Sequence, residues 1–243
     1  MLQNSSCQAQ STSKSFSTSF GRAIRESYAD HKDSRQLNVL LDHISKRYQK
    51  QWIFQGVSYT FDSGSCTAVL GSNGSGKSTL LQIIAGYASP SEGTVRWQAS
   101  EKDIQRHHIY RHVAICSPSI QLWDDLTLDE NYALFVQFKQ IPAISNSSQF
   151  AQTLQLEKHL YKPLKSFSSG MRQRVKLGLA IMSDAPLLLL DEPCSHLDAN
   201  AVEGYQSLLH LNTANKTVII ASNLDERETF MCQKQLDINR YKS

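Results

Sequence analysis

A short apolar segment, Cys66-Thr67-Ala68-Val69-Leu70, runs straight into Gly71-Ser72-Asn73-Gly74-Ser75-Gly76-Lys77-Ser78-Thr79, and a helical pattern continues to Ala85 before Gly86 closes it. Gly71, Gly76, Lys77 and Ser78 fit G-x-x-x-x-G-K-[ST] in the strand, turn and helix setting that this spacing requires. Glycines let the backbone wind so that successive N–H groups point inward, and the helix start adds the positive end of its dipole. A turn of this kind cradles phosphate. Lys77 is placed to reach the β- and γ-phosphates of a nucleotide, and Ser78 to offer its hydroxyl to Mg²⁺.

The rest of the chain reads as α/β with a mostly parallel sheet. Strands are expected at Val39–Ile44, Trp52–Phe54, Val57–Phe61, Gly93–Trp97, Val113–Cys116, Leu187–Leu190 and Thr217–Ala221. The first of these form a small β subdomain. Helices are expected at Asp129–Gln140, Ser148–Leu160 and Ala199–Leu211, with a last helix and strand ending at Tyr241. The stretch from about 127 to 175 is a helical insertion, and the folded domain spans 36–243. Residues 1–35 are Ser/Thr-rich with isolated apolar residues, so a disordered extension is expected, its composition close to an organellar transit peptide.

A second chemical feature lies downstream. Pro186-Leu187-Leu188-Leu189-Leu190-Asp191-Glu192-Pro193 is an apolar strand ending in two adjacent acids. At the C-terminal edge of a parallel sheet, Asp191 can hold Mg²⁺ through water, and Glu192 can polarise the water that attacks a γ-phosphate.

Between these two features, Phe167-Ser168-Ser169-Gly170-Met171-Arg172-Gln173-Arg174-Val175 resembles the LSGGQ signature of ATP-binding cassette (ABC) ATPases. Ser195-His196-Leu197-Asp198 is similar to that family's D-loop, and the resemblance covers about residues 37–235. It implies a P-loop NTPase fold with an antiparallel β subdomain and a helical ABC subdomain. It also implies ATP and Mg²⁺ as ligands, with Gly71 to Thr79 around the phosphates and Ser78 and Asp191 at the metal. Tyr48 is the aromatic that the resemblance puts against adenine, Trp52 being the alternative ring. Ser168 and Gly170 would close over ATP held by a second cassette, so a homodimer is implied. A separate integral-membrane permease would be energised by the dimer, with the chain on the inner face of a membrane, or inside an organelle if the extension is a transit peptide. Within the family, the small bacterial exporters, including the haem-exporter type, are the nearest in form.

Two positions depart from the family pattern. Pro118, with Ser119 and Gln121 nearby, stands where the resemblance expects a Mg²⁺-side glutamine, and Asn223 stands where it expects a histidine on the γ-phosphate. Catalysis would therefore rest on Lys77, Glu192 and Asn223 and run slowly. Two rival functions are a soluble nucleotide-gated clamp and a cassette that binds ATP with little turnover.

Composition narrows the field further. Net formal charge is +3, and five Lys/Arg against three Asp/Glu fall in the first 35 residues, so the body is nearly balanced and nucleic acid is not expected as a partner. Apolar runs stop far short of the roughly 20 residues a spanning helix needs. The five cysteines form no CxxC pair and read as reduced thiols. His107, His108 and His112 read as a solvated loop. Trp123, Leu126 and Leu128 read mainly as packing, with Trp123 also a candidate for contact with a permease.

Overall fold

The computed structural model describes residues 37–100 and 102–242. The extension expected at residues 1–35 lies outside the described residues. Nine strands form two sheets among them. β1 (Leu37–Tyr48) and β2 (Gln51–Phe61) make a hairpin that turns at Gln49, whose φ is 56°. Antiparallel pairing continues through β4 (Glu92–Ala99) to β5 (Lys102–Ile104), in the order β2-β1-β4-β5. Leu37, Val39 and Leu41 alternate into the core, as a pleat covered on one face demands. The two expected strands at 52–54 and 57–61 are a single strand. The register slips between Ile44 and Lys46 opposite Gly56 (φ 70°), whose N–H donates to Ser45 Oγ at 3.0 Å, so a bulge absorbs the break in pattern.

The second sheet is wholly parallel. Its order is β6 (Val113–Cys116), β7 (Leu187–Asp191), β8 (Thr217–Ser222), β3 (Cys66–Leu70) and β9 (Lys234–Asp237). Leu187 to Leu190 are all fully buried because the sheet is covered on both faces. Leu187 and Leu189 join the core shared with α1 (Lys77–Ile84) and the antiparallel sheet. Leu188 and Leu190 face the other way, into a second core with α4 (Ser169–Met182) and α5 (Ala199–Asn212).

Between β6 and β7 the chain builds a third core of its own from α2 (Leu128–Phe135), α3 (Ser147–Thr153) and the outer side of α4. Tyr132, Phe150, Leu154, Phe167 and Leu179 fill it. Both expected helices here prove shorter. Past α2 the hydrogen bonds tighten to the i+3 type at Gln137 and Phe138, and α3 stops where Gln155 takes a left-handed φ of 55°. Beyond β8 lies the one-turn α6 (Glu226–Thr229), and the expected terminal strand is β9 followed by a 3₁₀ turn, Ile238–Tyr241.

His107 and His108 are exposed on a 3₁₀ turn, Arg106–Arg111, but His112 is buried, since its carbonyl accepts Leu187 N–H as β6 begins beside β7. No group of three or more His, Cys, Asp or Glu able to hold a metal occurs among the described residues. Trp123 is two-thirds exposed rather than packed, whereas Leu128 is fully buried. No helix among the described residues is long and apolar enough to cross a membrane.

Candidate functional site

Because all five strands of the second sheet run parallel, the ends of β3, β6, β7 and β8 open onto one edge. The chain leaves β3 through the turn 71–76. At Gly71 a Cβ would come within 2.4 Å of Ser75 Oγ and 2.5 Å of the Ile238 side chain, so no larger residue fits without movement. Gly76 has φ 97° and serves as the N-cap of α1 without a side-chain cap, which leaves the first-turn amides of the helix unanswered by side chains. Lys77 is only 4% exposed; its Nζ donates to Gly71 O at 2.9 Å and Ser72 O at 3.3 Å. Glu192 Oε1 lies 3.9 Å from the same nitrogen. The loop is thus wound around one buried cation.

Asp191 ends β7 at 2% exposure. Ser117, just past β6, donates to its Oδ2 at 3.2 Å, while Oδ1 is buried without a hydrogen-bond partner among the described residues. Burial raises the Asp191 carboxyl above its ordinary range, and the Ser78 and Ser117 hydroxyls partly offset this. Glu192 follows with φ 48°, its N–H bonded to Ala221 O at 2.9 Å on β8. A left-handed backbone at a non-glycine residue is a strained conformation of the sort that gathers at functional sites.

The turn that begins at Glu192 is gripped from several sides. Gln173 of α4 donates to Pro193 O at 3.0 Å, and a Cβ on Gly170 would come within 2.8 Å of His196 O. His196 is left-handed as well, at φ 64°. Glu228 of α6 accepts from Cys194 N at 3.0 Å. Burial pushes the thiols of Cys116 and Cys194 up to about 12.

The structure therefore brings Lys77, Ser78, Asp191 and Glu192 together, with Asn223 exposed at the end of the neighbouring β8. Ser72, Asn73 and Gly74 are exposed at the crest of the turn; Ser75 is buried beneath it, and Thr79 is half-buried in the first turn of α1. Tyr48 sits at the hairpin tip, half-exposed, with Lys46 Nζ 4.9 Å above its ring; Arg47 covers Trp52 in the same way at 5.2 Å. The hairpin approaches the turn through Ile53, whose side chain would meet a Cβ on Gly76 at 2.6 Å. Ser168 caps α4 by accepting Met171 N–H at 3.2 Å. Among the described residues, no hydrogen bond or ion pair joins Ser168 or Gly170 to residues 71–79. Pro118 and Ser119 are exposed, and the polar group that reaches Asp191 from that side is Ser117. The roles of Ser117, Gln173 and Glu228 were missed in the sequence. Ser117 left a signal there as the polar residue beside the altered glutamine position, and Gln173 as part of the signature segment.

A family model described as "ABC transporter" matches residues 54–195, more than half of the chain. The chain belongs to the ABC transporter family. The "Nod factor export ATP-binding protein I" of Ralstonia nicotianae is 27% identical over 80% of this chain and 62% of its own length. The "Uncharacterized ABC transporter ATP-binding protein YybJ" of Bacillus subtilis is 29% identical over 81% of this chain and 90% of its own. The "Probable sulfate/thiosulfate import ATP-binding protein CysA" of Chlorella vulgaris is 30% identical over 78% and 83%. The chain thus spans less than two thirds of the Nod factor protein and most of the other two. Among solved structures, the "ATP binding subunit of ABC transporter" superposes with a TM-score of 0.70 at 23% identity, over 84% of this chain and 88% of that one. An ATP-binding cassette solved as a post-hydrolysis dimer with ADP and phosphate superposes at 0.69 and 22% identity, over 83% and 95%. These fix the fold as the ABC cassette form of the P-loop NTPases.

The residues present fit Mg²⁺-ATP. Among the described residues, Ser75 Oγ and Asp191 Oδ1 are buried without hydrogen-bond partners, the amides at the start of α1 have no side-chain cap, and the buried Lys77 ammonium is held by two carbonyls and a distant carboxylate. Groups of this kind suit a phosphate and its metal ion.

Proposed function

We propose that this cassette binds and hydrolyses ATP, dimerises on it, and energises transport by a separate membrane permease. The observation that carries the reading is the meeting of Lys77, Asp191 and Glu192 at one sheet edge, with the Ser168 cap on another part of the same chain. Bound Mg²⁺ supplies charge neutralisation of the phosphates. Gly71 to Thr79 would wrap them with backbone amides, and Lys77 would be the side-chain cation on them. Ser78 and Asp191 would hold the metal. Glu192, 38% exposed, orients the attacking water and receives its proton. Ser168 and Gly170 would close the site of a second copy, in line with the absence, among the described residues, of a hydrogen bond or ion pair from them to the 71–79 turn. Tyr48 is the ring proposed against adenine. The permease contact is assigned to the groove of about 270 Å³ beside β6, where Tyr87, Trp123 and Phe138 stand exposed and Lys139 and Lys176 line the wall. That contact would place the chain at the inner face of a membrane.

The test pairs two variants. Lys77→Ala should abolish ATP binding, whereas Glu192→Gln should keep binding, stop turnover and accumulate a dimer on gel filtration with Mg-ATP. A Glu192→Gln protein that stays monomeric at saturating Mg-ATP would overturn the composite-site reading. A second reading, a cassette that holds ATP with little turnover, draws on Asn223 and Pro118. Asn223 donates through a neutral amide and gives less charge-assisted stabilisation to the transferring phosphoryl group than a histidine would. Asn223→His should then raise kcat with little change in ATP affinity, the mark of an interaction made mainly in the transition state.

A further inference from the structure

Glu228 is a carboxylate buried to 4% exposure inside a run, Asp225-Glu226-Arg227-Glu228, that otherwise faces solvent or lies near it. Burying a carboxylate is unfavourable unless hydrogen bonds hold the charged form. Glu228 has one such bond, from the turn after β7: its Oε1 accepts the Cys194 N–H at 3.0 Å, two residues beyond Glu192. The hydroxyl of Ser222, the residue before Asn223, favours the charged carboxylate as well. The Ser222 oxygen accepts Asp225 N–H at 3.1 Å, which fixes the start of α6 to the end of β8. Tyr205 of α5 fixes the same residue from behind by donating to Glu228 O at 2.9 Å.

We infer that Glu228 is a positioning residue for ATP turnover: its carboxylate ties the turn carrying Glu192 to α6, whose start is bonded to the strand end that precedes Asn223, and so sets the distance between Glu192 and Asn223 across the γ-phosphate. The inference rests on the nucleotide site proposed above. Without the tie, Glu192 and Asn223 would be linked through the β7–β8 ladder, which ends at Asp191 opposite Ala221, and the bond from Glu192 N to Ala221 O, none of which holds the turn beyond Glu192. Glu192 and His196 both hold left-handed backbones that an unpinned turn would relax. Burial holds the Glu228 carboxyl above its ordinary range, and the Ser222 hydroxyl and the Cys194 N–H work against that rise. Both favour the charged form that makes the tie. Because no hydrogen bond or ion pair joins Glu228 to residues 71–79 among the described residues, its removal should leave ATP binding in place and act on chemistry.

The experiment compares wild type, Glu228→Ala and Glu228→Gln by steady-state ATPase kinetics, ATP affinity and amide hydrogen exchange of residues 187–198. In Glu228→Ala, kcat should fall at least tenfold with ATP affinity within threefold, and the amides at 194–196 should exchange at least tenfold faster than in wild type. Glu228→Gln can still accept from Cys194 N–H through its amide oxygen, so it should recover at least a third of wild-type kcat and the slow exchange. Wild-type kcat and exchange in Glu228→Ala would overturn the inference. So would a Glu228→Gln variant as slow as the alanine form, which would mean that charge rather than the bridge is what matters. If Glu228→Ala does not fold, the glutamine form and its exchange decide alone: slow exchange with at least a third of wild-type kcat supports the tie, and fast exchange overturns it. If wild type itself neither binds nor hydrolyses ATP, the nucleotide reading fails instead, while the exchange of 194–196 still shows whether Glu228 pins the turn.

Discussion

Glu192 carries two opposed demands on one residue. Its carboxylate is wanted beside Lys77, but its backbone is left-handed at φ 48°, a conformation that costs a non-glycine residue about 1 kcal/mol or more. The ion pair offsets little of this, because the separation is 3.9 Å and the carboxylate is over a third exposed. Strain therefore exceeds gain in the absence of nucleotide. Glu192→Gly should raise stability by about 1 kcal/mol, which for a domain of this size is about 2–4 °C in Tm, while abolishing turnover. A thermal melt beside an ATPase assay checks both halves. A lower Tm for the glycine variant would mean that the left-handed backbone costs nothing. Much of this residue was legible beforehand: an apolar run ending in two acids announces its own chemistry. Its backbone was not, since nothing in Leu190-Asp191-Glu192-Pro193 shows that Gln173, Ala221 and Glu228 converge there to hold an unfavourable φ. Glu228 itself was hidden for a related reason. A glutamate in an acidic run looks solvated until Cys194 and Ser222 are folded around it.

At the scale of an element, α4 depends on its first turn. Ser168 accepts Met171 N–H, and no acid in that turn supports the helix dipole. Without nucleotide, Ser168→Ala should cost about 1 kcal/mol and lower Tm by about 2–4 °C. Ser168→Asp caps as well as serine and adds a favourable charge to the dipole, so its Tm should hold, yet its carboxylate would repel a phosphate brought by a second copy. Melts and gel filtration with Mg-ATP separate the two effects. A Ser168→Asp protein that still dimerises on ATP would remove Ser168 from the composite site. Helix α4 was anchored in the sequence by its signature. The ends of α2 and α3 were less legible, because apolar spacing continues past Phe135 and Thr153. The chain leaves the helix at Gln155 only because φ turns positive, a choice made by packing of Leu154 and Leu156 in the third core.

The described residues build three apolar cores, one on each face of the parallel sheet and one within the helical insertion. Strand order was beyond the sequence, since Cys66–Leu70 lies between Thr217–Ser222 and Lys234–Asp237, both far along the chain. Cys116 at the end of β6 and Cys194 in the turn after β7 are both buried in the second core. Each thiol is held up near 12, against about 8.5 for a free one. The folded state therefore keeps protons that the unfolded chain gives up; this support is complete below about pH 8.5 and drains away as pH rises toward 12. At pH 8 to 9 neither sulfur should react with iodoacetamide until the structure around it opens. Cys116, within a paired strand, should be alkylated only at the rate of global unfolding. Cys194 should be alkylated sooner if the 192–196 turn can open by itself, and peptide mass spectrometry of a time course distinguishes the two sulfurs. The molecule thus contains two buried clocks, one timing the loss of the sheet and the other the loosening of the turn beside it. The gap between their rates measures, without any nucleotide, how independently that turn can move.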